Sequence, residues 1–500
     1  MPNLHNSQPT LNPLPPQMQP QPQPQPQIQI PSPTLLTPSL PPKTFIGIDL
    51  VTFTSTANFH GIRDLPRGWH FLYSGTSETL SLRSGGWFFV GGGRGHGHEL
   101  EYGYKGSRNG NGSGHAPEIF IWKWDANTET LSPLKARNDV ERQEGLRYKA
   151  NLGAVWLGGG LFRFRSRVGG QGQVTSRAQG QQQQQQRAGQ DEDEDQDEDE
   201  DEQDGRRDWA GLTSGISATV LSRIVDAPEL DADGRPSWMV TSASSAARDA
   251  DEIPGLGSTT EDTGTTEPGS GTETSTQPQE VEFSFLPIDL KRTWREGAIG
   301  RERTEAAQDR SWALGDLIRR YSGPDGDERH GEEQILGELQ FTFLVALTLL
   351  NFSCLQQWKR LLELVLTSRS VVVSRGFFVC DVLRLLLLQL QRCEDLEGGL
   401  FALDAADEGG KFLRAWLVRF TRSVDELALL EGEAAGIGTV KSELQRLQGW
   451  VGEEFGWDLR PEGMVRKGMV QLEDGEELEL EMDGDGDEET GEYAPVVIHE

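Results

Sequence analysis

Two histidines in one short stretch could supply acid–base chemistry. His60 and His70 lie in "FHGIRDLPRGWHF", residues 59–71, and histidine is the side chain whose ordinary pKa best suits proton transfer near neutral pH. The glycines and the proline of this stretch predict turns between strands, where a histidine commonly holds the turn by hydrogen bonds. The sequence has no serine or cysteine in a G-x-S-x-G context. A hydrolase that uses either histidine is therefore an alternative and not the favoured interpretation.

Three more histidines and a glycine cluster lie at 91–116. His96, His98 and His115 could ligate a metal ion, but a flexible loop offers no rigid scaffold for them. The glycines of "GGGRGHG" at 91–97 do not fall at the G-x-G-x-x-G spacing of a dinucleotide site. We therefore predict a long hairpin loop here, and no metal or cofactor.

The acidic residues are concentrated in two segments. The formal net charge is −32, and residues 191–204 and 471–492 hold twelve acids each. Removing these 24 acids leaves a net charge of −8 for the rest of the chain. That remainder has no basic excess to seed phosphate contacts. We therefore expect no direct binding to nucleic acid.

The cysteines and the N-terminus bear on the compartment. Cys354, Cys380 and Cys393 lie in apolar surroundings without a CxxC pair, which is typical of a reducing compartment. The Pro/Gln-rich start resembles neither a secretory signal nor a transit peptide. The sequence therefore predicts a nuclear or cytosolic protein.

An apolar stretch at 335–362, "ILGELQFTFLVALTLLNFSCLQQWKRLL", is too short before Asn351 to cross a bilayer. Its apolar residues recur every three or four positions along one face of a helix. We therefore predict a core helix. Its charged residues are candidates for partner binding, because a rigid helix presents such side chains in fixed register: Glu338, Lys359 and Arg360.

Composition and periodicity divide the chain into an ordered part and segments that cannot bury a core. Short β-branched runs follow Phe45, helical patterns occur at 138–157 and 208–225, and 281–290 alternates like one more strand. From residue 311 onward the patterns are helical. The prediction is a disordered Pro/Gln-rich arm at 1–42, a β-rich domain at 43–290 with disordered inserts at 91–116, 167–207 and 227–280, a linker at 291–310, an α-helical domain at 311–460 and an acidic tail at 461–500.

Two further segments are candidates for partner binding. The chain ends in "YAPVVIHE", whose β-branched run follows an acidic spacer with nothing local to pair with. We predict that this run is disordered alone and adds a strand to the edge of a partner's sheet. A partner-facing loop in the 59–71 stretch is the second candidate. The residues concerned are Tyr493, Ala494, Pro495, Val496, Val497 and Ile498 in the tail, and Arg63, Asp64 and Arg67 in the loop.

Several segments, in one order, resemble the A1 cistron-splicing factor family. They are "GID" at 47–49, "FHGIRDLPRGWHFLYS" at 59–74, "GWFF" at 86–89, "LGELQFTFLVALTLLNFSCLQQWKRLL" at 336–362, and the ending "FGWDL…YAPVVIHE". The resemblance implies an α+β multidomain protein with an N-terminal β-sandwich-like domain and a C-terminal α-helical domain.

The resemblance also implies a function. Family members act in assembly of the U5 small nuclear ribonucleoprotein, bind the RNase H-like and Jab/MPN domains of the largest U5 protein, and are replaced by a helicase. It further suggests release by phosphorylation, for which Ser258 and Thr259 are candidates because each has an acid three residues on. The Gln-rich and acidic tracts leave open a transcription or chromatin adaptor.

Overall fold

The computed structural model describes the chain over the following residues: 32–77, 82–91, 118–166, 191–245, 282–392, 410–431, 435–459, 466–471 and 477–482. Its N-terminal part forms two β-sheets with a few helices, and its C-terminal part is helical up to residue 455. This is the predicted α+β organisation. Among the described residues, none of the helices combines the length and apolar character needed to span a bilayer.

The strands of the N-terminal part are short. They are β1 Thr34–Leu36, β2 Phe45–Ile48, β3 Val51–Thr54, β4 Gly61–Arg63, β5 Gly68–Gly75, β6 Arg83–Val90, β7 Ile119–Asp125, β8 Thr130–Pro133, β9 Leu161–Arg163, β10 Glu229–Leu230 and β11 Pro236–Thr241. One sheet has the order β8-β7-β1-β4-β9, and the other has the order β10-β11-β6-β5-β2-β3.

The central strand β5 shows how one sheet serves two cores. Successive side chains of a strand point to opposite faces. Leu72 of β5 packs with Phe88 and Trp122 in the core between the two sheets. Phe71 and Tyr73 lie on the opposite face, in a core shared with the helices. The six-stranded sheet is therefore buried on both faces, and it joins the sandwich to the helical part.

The helices follow in chain order. They are α1 Asp139–Ala150, α2 Leu152–Leu157, α3 Asp191–Leu212, α4 Ala218–Val225, α5 Arg301–Gln308, α6 Ser311–Arg320, α7 Glu328–Leu349, α8 Phe352–Leu366, α9 Val371–Ser374, α10 Gly376–Arg392, α11 Lys411–Glu431 and α12 Ala435–Phe455. A hairpin of β12 Arg466–Gln471 and β13 Glu477–Met482 comes after them.

The apolar stretch at 335–362 forms two helices and not one. Leu350 adopts a left-handed conformation with φ of 57° and ends α7. The Asn351 side chain then accepts a hydrogen bond from the Cys354 amide and caps α8, as N-terminal asparagines commonly do. Trp358 of α8 is fully buried. The prediction of core helices is confirmed, and that of one continuous face is wrong.

Parts of the predicted disordered segments are ordered. Within 1–42, β1 is buried between β4 and β7. Within 227–280, β11 pairs with β6 and places Trp238 in the shared core. These two predictions of disorder were wrong because the strands carry little local signal: β1 has only three residues, and β11 lies beside acidic residues. Tertiary pairing decides their conformation.

Four other assignments also differ from the structure. The insert at 167–207 ends inside α3, which begins at Asp191, and the linker at 291–310 contains α5. The expected strand at 281–290 contributes only an isolated bridge between Ser245 and Glu282. The acidic tail at 461–500 contains the β12–β13 hairpin. The loop at 91–116 lies outside the described residues except for Gly91.

Candidate protein-binding site

His70 is a buried structural residue. Its Nδ1 lies 2.9 Å from Asp49 Oδ2, and its Nε2 lies 2.9 Å from the Pro66 carbonyl oxygen. Burial lowers the pKa of His70, but the charge and hydrogen bond of Asp49 and the Pro66 carbonyl together raise the pKa above its ordinary 6.5. A protonated ring therefore donates at both nitrogens. Because the ring is 1% exposed, it is closed to a substrate and holds the 59–71 stretch in place.

The loop that His70 holds places three predicted residues at the surface. Arg63 and Asp64 form an ion pair at 3.1 Å with about a third of each side chain exposed. The guanidinium of Arg63 also lies 5.0 Å from the Trp156 ring centroid. Arg67 is exposed and donates to the Gly91 carbonyl at 3.0 Å. The loop is therefore rigid and charged, which suits a protein-binding surface.

The loop's rigidity has a backbone cause. Asp64 has a φ of 64°, in the left-handed region that few residues other than glycine adopt. The Asp64 amide donates to Ser32 Oγ at 3.1 Å, which stabilises this turn from a neighbouring segment. His60, in contrast, is exposed, with Nδ1 2.9 Å from the Asn58 carbonyl oxygen. The two histidines therefore have different surroundings and do not form one site.

Lys359 and Arg360 lie on a different element, the half-buried outer side of α8. The Lys359 ammonium lies 4.1 Å from the Phe412 ring centroid of α11, a cation–π distance. Lys359 therefore belongs to the surface formed by α8 and α11, and Arg360 is its neighbour on α8. They are separate in the fold from the Arg63 loop on the sandwich.

Glu338 is not at the surface, so its expected presentation to a partner is wrong. Its side chain is 0% exposed and lies 2.6 Å from Arg223 Nη1 of α4. The Leu286 amide and the Gln357 side chain also donate to it, at 3.0 and 2.7 Å. A buried carboxylate needs such donors to offset its lost hydration. Glu338 therefore joins the N-terminal part to the helices.

A second polar residue of α7 makes the same kind of connection. Gln340 accepts a hydrogen bond from the Gly215 amide at 2.7 Å and donates to the Gly211 carbonyl at 3.0 Å. Beside it, a Cβ placed on Gly337 would lie 2.5 Å from the Gly215 carbonyl oxygen. The backbone of α7 therefore approaches the α3–α4 turn as closely as only glycine allows.

Further contacts extend this connection along α7 and α8. Arg83 of β6 donates to the Thr348 carbonyl at 2.7 Å, and Asn351 donates to the Ser244 carbonyl at 2.6 Å. We call this set the interdomain seam: Arg83, Gly215, Arg223, Ser244, Leu286, Gly337, Glu338, Gln340, Asn351 and Gln357. It fixes the orientation of the sandwich relative to the helices.

Sequence reasoning missed most of the interdomain seam. The usable signal was the presence of Glu338, Gln340 and Gln357 within an otherwise apolar run, since buried polar side chains require partners. Arg83 and Arg223 gave no signal of their own. Their partners are more than a hundred residues away in sequence, so only the fold brings them together.

The other predicted residues lie outside the described part of the chain. These are Ser258 and Thr259 in the insert and Tyr493 to Ile498 in the tail. The described ends of that insert do meet, because Ser245 and Glu282 form a bridge and the Phe283 amide donates to the Ser245 carbonyl at 2.8 Å. Among the described residues, no group of acidic, histidine and cysteine side chains is arranged to hold a metal ion.

The fold and its surfaces define a two-domain α+β protein whose sandwich and helical part are fixed by one core and a buried polar seam. A model of the AAR2 N-terminal domain matches residues 31–226. A model of the AAR2 C-terminal repeat region matches residues 285–460. The chain belongs to the AAR2 family.

Curated relatives carry the same family name. The protein AAR2 homolog of Homo sapiens is 26% identical over 185 residues, which cover 37% of this chain and 42% of that protein. The homolog of Oryctolagus cuniculus is 27% identical over 184 residues, covering 37% of this chain and 48% of that protein. The chain therefore spans less than half the length of the curated relatives that it matches.

Proposed function

We propose that this protein is a non-catalytic splicing factor that acts in assembly of the U5 small nuclear ribonucleoprotein. It binds the RNase H-like and Jab/MPN domains of the largest U5 protein and holds that protein until a helicase replaces it, in the cytoplasm and nucleus. The observation that carries the proposal is the presence of both AAR2 regions, in order, in one chain. Their rigid connection through the interdomain seam supports it, since a rigid scaffold can contact two partner domains at a fixed spacing.

Two kinds of surface would make the contacts. Charged side chains lie on rigid elements in two places: the loop with Arg63, Asp64 and Arg67, and α8 with Lys359 and Arg360. Such an arrangement favours specificity and fast association. The terminal run Val496 to Ile498 would add a strand to a sheet edge of the partner through backbone hydrogen bonds. Pro495 lacks an amide donor, so it would start that strand or face away from the ladder.

The test is a pull-down with the separated RNase H-like and Jab/MPN domains, using the full chain and a variant lacking 493–500. We expect the deletion to leave the thermal melt of the free protein unchanged, because it removes only a terminal segment. Binding to the Jab/MPN domain should fall severely, and most binding to the RNase H-like domain should remain. Equal loss of both, or loss of neither, would refute the two-domain role.

Phosphorylation at Ser258 and Thr259 would weaken the complex, because each phosphate adds a charge of about −1.5 to −2. The double variant Ser258→Asp and Thr259→Asp should lower partner affinity. Ser275→Asp and Thr276→Asp, in the same insert, form the matched control. If both pairs leave affinity unchanged, this regulation is absent.

A transcription or chromatin adaptor is the competing function, suggested by the Gln-rich and acidic tracts. Purification of the tagged full chain from cells decides between the two. Recovery of U5 proteins supports the assembly role, and recovery of promoter-bound factors without U5 proteins supports the adaptor. For the hydrolase alternative, the double variant His60→Ala and His70→Ala should still complement an assembly defect if it folds.

A further inference from the structure

The outward face of α11 is basic over its first half. Lys411, Arg414, Arg419 and Arg422 are all exposed. Within the part of the chain that the structure describes, Arg414 and Arg419 form no ion pair. The second half of the helix differs, because Glu426 there pairs with Arg369 at 2.9 Å. Positive charge thus extends over the first three turns of the helix, and the helix dipole adds to it only in the first turn, at Lys411 and Arg414.

The chain leaves the helical part close to this basic face. The helix α12 packs antiparallel to α11, since Lys441 contacts Asp425 at 2.9 Å and Gln448, further along α12, contacts Thr421, earlier in α11, at 2.9 Å. Following this direction, α12 runs from the second half of α11 toward its first half and ends at Phe455. The described chain then continues only to Leu459, which is buried at 3% exposure.

The β12–β13 hairpin brings the chain back to the point where the hairpin begins. In this hairpin Met482 pairs directly with Arg466, so residue 483 starts near residue 466. Arg466 follows Leu459 by seven positions, a span of at most about 25 Å for an extended chain. The next segment, 483–492, reads "DGDGDEETGE" and carries six acids and no base. An acidic segment is therefore tethered within reach of a basic face.

We propose that residues 483–492 of this chain bind the basic face of α11 in the free protein. Two observations favour this occupant over a separate acidic molecule. The tether makes the contact intramolecular, and the resulting effective concentration for short flexible linkers is of millimolar order. The charges are also opposite in sign, since residues 483–492 hold six acids and no base, and the face of α11 holds four bases. The contact does not depend on which partner the protein assembles with.

The contact has a consequence for the chain end. Residues 493–498 follow the acidic segment directly, so binding of 483–492 to α11 keeps the terminal run beside the helical part. An acidic surface that binds α11 would displace the segment and release this run. Under the proposed function, such release would couple docking on the helices to capture by the terminal strand.

The test is zero-length carbodiimide cross-linking of the full-length protein, followed by peptide mass spectrometry. Lys411 lies on the basic face and should form amide links to acids within 483–492. The yield should fall by at least about threefold in the variant Arg414→Glu with Arg419→Glu, as expected from loss of surface ion pairs. It should fall similarly in 0.5 M salt, at roughly 4 Å Debye length. The matched control is Arg292→Glu with Arg295→Glu, exposed arginines outside α11, which should leave the yield unchanged.

Three results would overturn the proposal. Links from Lys411 that reach only the acids of 394–408 would show that a different segment occupies the face. A yield that is equal in both double variants would show that the arginines do not hold the segment. Links that form only between copies, detected by mixing isotopically labelled and unlabelled protein, would make the contact intermolecular. Thermal melts of both double variants establish that they are folded, and none of these results depends on partner binding.

Discussion

At the scale of single residues, Glu338 is held by donors from three different segments: α4, the chain at Leu286, and α8. A buried carboxylate of this kind is stable only while its donors remain, and the donors in turn are left unpaired if it is removed. The same side chain on an exposed turn of α7 would contribute little. Its position within an apolar run, rather than its charge, gives it this role.

Substitution of Glu338 by alanine should therefore reduce the free energy of unfolding by about 3 kcal/mol. The loss arises because Arg223 and Gln357 would each lose a buried acceptor. The control is Glu333→Ala, whose side chain is 69% exposed beside His330. That substitution should change the free energy by less than about 0.5 kcal/mol. Urea unfolding measures both, and equal effects would contradict the buried role of Glu338.

His70 gives the protein a pH-dependent contribution to stability. Burial lowers the pKa of its ring, but Asp49 and the Pro66 carbonyl outweigh burial and raise the pKa above 6.5. The folded protein then holds the proton more tightly than the unfolded chain does. The contribution is thus fully present below pH 6.5 and is lost as the pH rises through the folded-state pKa.

The stability difference between the wild type and His70→Gln should therefore be largest in mild acid and shrink as the pH rises above 6.5. Thermal melts at a series of pH values measure this difference. His60→Gln, at an exposed histidine, is the control and should show a small difference at every pH. A wild-type advantage that grows toward alkaline pH would mean that the His70 ring is neutral in the folded state.

At the scale of elements, α7 packs against the α3–α4 turn through Gly337. Replacing Gly337 with alanine would favour the helix intrinsically by about 1 kcal/mol. The new Cβ would, however, lie 2.5 Å from a backbone oxygen of Gly215, and backbone cannot move aside as a flexible side chain can. We expect the clash to dominate and the unfolding free energy to fall by about 1–3 kcal/mol.

Gly153→Ala is the matched control for this substitution. A Cβ at Gly153, in α2, would meet nothing within 4 Å, so the change should be neutral or slightly stabilising. Chemical denaturation of the two variants gives the comparison. If Gly337→Ala were as stable as Gly153→Ala, the close approach of the two backbones would not exist in solution.

The elements also show which signals the sequence carries. Apart from the four-residue α9, the helices from α6 onward were predictable because their apolar residues repeat at the helical period over ten or more residues. Strands β1 and β11 were not, since each depends on neighbours that are distant in sequence. Strand β10 has only two residues and pairs with β11 alone. The break at Leu350 was missed because a left-handed leucine is rare. Of the candidate site, the Arg63 loop was predictable from its turn residues. The burial of Glu338 was indicated only by its place in an apolar run, and its partners were not predictable.

At the scale of the whole molecule, one hydrophobic cluster includes residues of both family-defined regions. Trp87 of β6 and Trp209 of α3 stack with ring centroids 6.1 Å apart, and Phe341 of α7 lies 6.3 Å from Trp87. All belong to one apolar core that continues through the C-terminal helices. The interdomain seam surrounds this contact with polar bonds. Separating the two parts would expose large aromatic side chains and unpaired buried polar groups together.

Because of this shared core, the sandwich and the helices should unfold in one cooperative transition, as elements that share a core usually do. Far-ultraviolet circular dichroism reports mainly the helices, and tryptophan fluorescence averages over the 13 tryptophans, which lie in both parts. The two probes should therefore give the same urea midpoint. Glu338→Ala should shift both midpoints equally, whereas Glu333→Ala should shift neither. Two separated midpoints in the wild type would show that the parts are independently stable. The partner would then have to impose the fixed spacing on which a two-domain binding role depends.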